Sequence, residues 1–193
     1  MAHVKGILLA TTVQGIHGAL GAGSLKRETV EARLEARDLA LLEEKIDPTR
    51  WYPVDAIANL TELLAGVLGG PRDLALRRLG EAAVEILRSN GTYRQLAFEP
   101  GSLKPGDPAE LRSAGRLIAS VWPAFYDFGT TRIESEAESA VILLHFEDLG
   151  SCPSPVRHTI EGFTARVAQL LSHGALSASF PAAAADHIVI RLG

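Results

Sequence analysis

TTRIESEAESAVILLHFED, residues 130–148, is where the periodicity of the chain changes and where its fold is decided. Ile133 points one way while Arg132, Glu134 and Glu136 point mainly the other, as in a half-exposed strand. The run SAVILLHFED is apolar and rich in β-formers, as in a buried strand. The chain then returns to helical spacing in SPVRHTIEGFTARVAQLLSHG, through Ile160, Phe163, Val167, Leu170 and Leu171. Two alternating stretches close it. In ALSASFP, Leu176, Ala178 and Phe180 oppose Ser177 and Ser179. In DHIVIRLG, Ile188, Ile190 and Leu192 oppose His187, Val189 and Arg191. Residues 129–193 therefore read as strand–strand–helix–strand–strand, an antiparallel sheet with one helix packed on a face. The last strand is expected at a sheet edge, open to self-pairing.

Upstream, residues 1–128 read as mainly helical. A first helix is expected over Val4–Leu20, with Val4, Leu8, Thr11, Thr12, Gly15 and Ala19 forming a smooth face. One helix or two short ones follow, up to Asp47. In RWYPVDAIANLTELLAGVL, Pro53 suits the first turn of a helix and pushes Tyr52 out of it. Val54, Ile57, Leu60, Leu64 and Leu68 make the apolar stripe, and GGP at Gly69–Pro71 stops it. Trp51 and Tyr52 then stand at a helix entrance, where aromatics staple the chain. The next helix carries Leu79, Ala82, Ala83, Ile86 and Leu87 and is broken at Asn90-Gly91. A short helical turn follows at TYRQLAF and a loop at EPGSLKPGDP. A helix from Asp107 meets Pro123 near its end. The whole is an α+β chain, read as one domain over 1–193: N-terminal helices packed on a C-terminal antiparallel sheet.

The 193 residues are 47% hydrophobic and 22% charged, with a net charge of −4. That is a folded globular chain without the basic face of a nucleic-acid binder. Arg72, Arg77, Arg78, Arg88 and Arg94 alternate with Glu81 and Glu85, as on a solvated, partly paired helix face. The amino end has neither the charge nor the unbroken apolar run of a signal peptide, and no stretch is long enough to span a membrane. A cytoplasmic protein is expected.

No motif carries catalysis. Gly18 and Gly23 have phosphate-loop spacing, but Ser24 stands where the lysine belongs. The lone Cys152 has no base beside it and excludes a four-thiolate zinc site. His158 and Glu161 can share a helix face. His145 and Glu147 share a strand face, and Asp186 and His187 point oppositely. None of these pairs makes a metal or catalytic site alone, so no catalytic residue, metal or cofactor is expected.

VKG, WYP before a helix, LGEAAVE, GTYRQL, WPAFYDFGT before two strands, and IEGFTARVAQLLSHGA before a last β-pair follow one another in this order. In this the chain resembles a large paralogous family of uncharacterised myxobacterial proteins of about this length. That family is similar in layout to vinyl-reductase-type small-ligand-binding domains, and more distantly to the heme-based nitric-oxide-binding domain and the Bet3-like trafficking subunits. The resemblance implies an apolar cavity between helices and sheet for a hydrocarbon-like ligand, a heme or an acyl chain. The heme relatives' Tyr-x-Ser-x-Arg motif is absent, and Cys152 stands alone where some relatives carry a cysteine cluster. Neither heme nor zinc is therefore expected. The expectation is a non-enzymatic sensor or interaction module, whose partners are a hydrophobic small molecule and a protein or a second copy. The alternative is a scaffolding adaptor in a signalling or polarity complex. Cavity candidates are Trp51, Tyr52, Trp122, Phe125, Tyr126, Phe128, Phe146 and Phe163, with Trp122, Phe125 and Tyr126 at helical steps pointing to one region. Against this stands simple core filling by the same rings.

Overall fold

The structure, a computed structural model, describes residues 2–89, 91, 96–104, 107–135, 141–150, 152–184 and 186–193. Expectations for Asn90, Arg94, most of TYRQLAF and Glu136 lie outside these residues. Seven helices and six strands are present among the described residues: β1 (His3–Lys5), α1 (Gly6–Gly21), α2 (Arg27–Arg33), α3 (Ala36–Glu43), β2 (Trp51–Pro53), α4 (Val54–Leu68), α5 (Arg72–Ser89), α6 (Pro108–Phe125), β3 (Thr130–Ser135), β4 (Ile142–Glu147), α7 (Ser154–Leu171), β5 (Ala178–Ala184) and β6 (His187–Leu192). The fold is α+β, with helices packed on a four-stranded antiparallel sheet at the C-terminal end.

The sheet runs β3-β4-β6-β5. Its core face is made by Ile142, Leu144 and Phe146 of β4 and Ile188, Ile190 and Leu192 of β6, all buried. The opposite face carries Arg132, Glu134, His145, Glu147 and His187. The alternation legible in the sequence is thus the alternation of the sheet. One expectation fails. β6 is not an edge: Ile142 pairs with Leu192 on one side and Ala178 pairs with the same residue on the other. The two hairpins join through their second strands, so β3 and β5 are outermost. Edge position depends on this long-range pairing, which strand periodicity does not encode.

Helix α6 reaches the sheet at Gly115, where a Cβ would lie 2.6 Å from Ile142 Cδ1. Helices α5 and α7 cross at two glycines. A Cβ on Gly80 would collide with the Thr159 carbonyl oxygen, and one on Gly162 with that of Arg77. Pro123 falls inside α6, which ends two residues later at Phe125.

The amino end also departs from expectation. Val4 is in a strand: β1 pairs with β2, bringing Val4 opposite Tyr52, and the helix starts only at Gly6. Val4 also bridges to Tyr126, and His3 grips Asp127 through its backbone and its ring, both at 2.6 Å. Pro53 ends β2 and caps α4 rather than occupying its first turn. The stretch to Asp47 folds as two short helices, α2 and α3. The arginines of α5 pair mostly away from their own helix. Arg72 meets Glu62 of α4 at 2.7 Å, Arg77 meets buried Glu161 of α7 at 2.8 Å, and Arg88 donates to the Phe98 carbonyl.

Candidate functional site

The structure divides the eight candidate aromatics into two groups. Trp51 and Tyr52 are the β2 residues. Trp51 is 39% exposed, with the Lys5 ammonium 4.1 Å from its ring centre. The Tyr52 hydroxyl accepts from the Asp47 backbone N–H, tying down the preceding loop. Neither lines a cavity among those described. The other six converge where α6 and α7 meet the sheet. Trp122 stacks on Tyr126 at 4.3 Å between ring centres and touches Phe146 at 5.1 Å and Phe128 at 5.8 Å. Phe125 meets Phe163 edge-on at 6.1 Å. The Trp122 indole N–H donates to the Phe128 carbonyl at 2.8 Å, so its one polar atom is satisfied inside the cluster. The void among these rings is only about 30 Å³.

A larger cavity, about 190 Å³, lies beside this cluster among α1, α4, α5 and α7. Tyr126 and Phe163 form its wall towards the cluster, Leu8, Thr12 and Gly15 supply the α1 side, and Ile57 and Leu64 the α4 side. On α5, Leu79 and Ala83 line it together with Ala82 and Ile86, which are exposed, so the cavity reaches the surface beside that helix. Three of its threonines have no hydroxyl hydrogen left to offer. Thr11 donates to the Ile7 carbonyl, Thr12 to that of Leu8 and Thr159 to that of Val156. Burial raises the pKa of Tyr126 far above its ordinary value, so its phenol stays neutral. The walls are therefore uncharged and mainly apolar, with Thr61 and the Tyr126 phenol as further hydroxyl-bearing residues in the lining.

Aromatic composition alone did not point to this cavity, since only Tyr126 and Phe163 of the candidates border it. The sequence signal was the smooth face of α1: Leu8, Thr11, Thr12 and Gly15 all line the cavity. Small residues leave room, and Gly15 lets Leu64 approach, since a Cβ there would lie 2.9 Å from Leu64 Cδ2. Cys152 is buried, and burial pushes its thiol up to about 12, which suits an inert side chain. His158 and Glu161 do share a helix face, at 3.0 Å, but within the ion network linking α7 to Arg77.

No family model matches the chain, and no curated protein does. Solved structures do resemble it over nearly its whole length. An H-NOX protein from S. oneidensis in the Fe(II)NO ligation state is 14% identical, with 98% of each chain covered and a TM-score of 0.64. The Fe(II) unliganded H-NOX protein from K. algicida is 12% identical, covering 98% of this chain and 95% of its own, with a TM-score of 0.58. A point mutant of the T. tengcongensis H-NOX is 10% identical, covering 97% and 96%, with a TM-score of 0.60. At such identities the likeness speaks for architecture alone: the chain has the α+β fold of the H-NOX domains.

Proposed function

We propose that the chain is a single, non-enzymatic, cytoplasmic domain that senses or retains a small apolar molecule in the cavity between α1, α4, α5 and α7. The observation that carries this is a preformed space of about 190 Å³, lined mainly by apolar side chains, in which the hydroxyls of Thr11, Thr12 and Thr159 donate to their own helices. Water in such a space finds few partners, which favours an apolar guest. An engineered apolar cavity of roughly 150 Å³ stays dry and takes up benzene. The space here suits a guest of that order: one aromatic ring or a short hydrocarbon chain.

One of the similar solved structures comes from a study of heme distortion in the H-NOX family, so heme is the first ligand to weigh. The residues present do not fit it. At about 190 Å³ the cavity is smaller than the roughly 300–1,000 Å³ of ordinary ligand pockets. Among the described residues no histidine, cysteine or methionine lines either cavity, and such side chains are the common axial ligands. Among the described lining residues Tyr126 is the one phenol, and burial keeps it protonated. Among the described residues no arginine or lysine lines the space to receive propionates.

The reading is tested by native mass spectrometry of the purified protein, with benzene and a short alkane as probes in a thermal-shift titration. The expected result is a co-purified apolar molecule, or a probe-dependent rise in Tm. Ala83→Phe, which fills the space from α5, abolishes either signal while circular dichroism stays unchanged. If wild type carries nothing and neither probe shifts Tm, the sensor reading fails and the adaptor reading replaces it.

A further inference from the structure

The outer face of the sheet brings together side chains that lie far apart in sequence. His145 and Glu147 share that face of β4. Antiparallel pairing of Phe146 with Ile188 delivers His187, the first residue of β6, beside them. His145 Nδ1 and His187 Nε2 are 3.0 Å apart, and one ligand atom from each of His145, Glu147 and His187 lies within 4.8 Å of the others. Hydrogen bonding between the two rings accounts for only part of this. His145 Nε2 is buried without a hydrogen-bond partner among the described residues, although Glu134 Oε2 is 3.3 Å away. Arg132 fixes both carboxylates: it bonds Glu134 Oε2 at 2.9 Å and Glu147 Oε1 at 3.0 Å, so both its contacts with Glu147 use the same oxygen.

We propose that His145, Glu147 and His187 bind a divalent transition-metal ion of the zinc class, with Glu134 as the carboxylate behind His145. Two imidazoles and one carboxylate are a donor set that suits zinc, and the hard cations calcium and magnesium favour all-oxygen sites. Nitrogens each about 2.0–2.1 Å from a tetrahedral ion stand roughly 3.3–3.4 Å apart, close to the 3.0 Å seen here. Metal on Nδ1 of His145 places the proton on Nε2, where Glu134 receives it. A ligating histidine commonly leans on a carboxylate in this way. Glu134 and Glu147 against Arg132 leave the pocket one negative charge to meet the cation. Three ligands leave a fourth position for water. The site is on the opposite face of the sheet from the core and stands independently of the apolar cavity.

The test uses untagged, full-length protein stripped with a chelator. Co²⁺ is titrated while its visible d–d bands are followed, and Zn²⁺ is titrated against a chromophoric chelator. One equivalent of each ion is expected. His187→Ala and His187→Gln should each weaken binding by more than about 100-fold, and Glu134→Gln by about 10–100-fold, as for other carboxylates behind a ligating histidine. His173→Ala, outside the site, should bind as wild type does. Circular dichroism checks that every variant is folded. A folded wild type that takes up neither ion, or wild-type affinity in both His187 variants, overturns the site. Unchanged affinity in Glu134→Gln overturns the role given to Glu134.

Discussion

Trp122 is the residue on which the packing of the aromatic cluster turns. It is buried, it touches three rings, and its indole N–H is satisfied by a backbone carbonyl. The void beside it is too small to absorb the loss of a bicyclic side chain. Trp122→Ala is therefore expected to cost about 3–5 kcal/mol, read as a fall in the urea midpoint at unchanged m-value. A cost below about 1 kcal/mol would show that the ring is a loosely held wall instead. The helical spacing of Trp122 and Phe125 is readable from the sequence, whereas Tyr126, expected on the same helix, follows its end in extended geometry and bridges to Val4. That Phe128, Phe146 and Phe163 join them, and that Trp51 and Tyr52 do not, depends on β1 pairing with β2 and on α7 folding back over the sheet.

At the level of elements, α5 and α7 bring backbone against backbone, and two glycines allow it. The Gly162 Cα faces the Arg77 carbonyl with no room for a methyl group. Gly162→Ala should force the helices apart and cost about 1–3 kcal/mol or more. Gly18→Ala is the matched control. It lies in α1 with nothing within 4 Å of its would-be Cβ, so it should be neutral or stabilising by up to about 1 kcal/mol. Thermal melts of the two variants check the contrast. Equal Tm values would rule out a steric role for the glycine crossing. In the sequence these glycines interrupt good helices and look like weak points. Only the crossing explains them, because helix propensity penalises glycine wherever it stands and close packing rewards it at one spot. Strand β6 teaches a related lesson: its period is local, but its place between β4 and β5 is set by partners far away in the chain.

At the scale of the whole molecule, acid stability follows from carboxylates used as ties. Burial alone would raise the pKa of Glu161, but hydrogen bonds from His158 and Arg77 outweigh it and hold that carboxyl below its ordinary value. Asp127, under the grip of His3, and Glu134, under that of Arg132, are lowered as well. A carboxyl lowered in the folded state contributes its full stability above the unfolded-state pKa and loses it as pH falls through the folded one. Urea midpoints should thus be flat near neutrality and fall between about pH 5 and pH 3. Glu161→Gln should lose about 1–3 kcal/mol at neutral pH and show a shallower acid slope, whereas a slope equal to wild type would remove Glu161 from this account. Among the described residues no helix is long and apolar enough to cross a membrane. From sequence alone the α+β class, the strand–strand–helix–strand–strand order and the alternation of the four C-terminal strands could be read, because each follows from a local period of two or 3.6 residues; the β1–β2 pair could not. The strand order β3-β4-β6-β5, the cavity beside α5 and the meeting of His145 with His187 could not. Each needs residues tens of positions apart to become neighbours, and only the summed burial of the folded core selects which of them do.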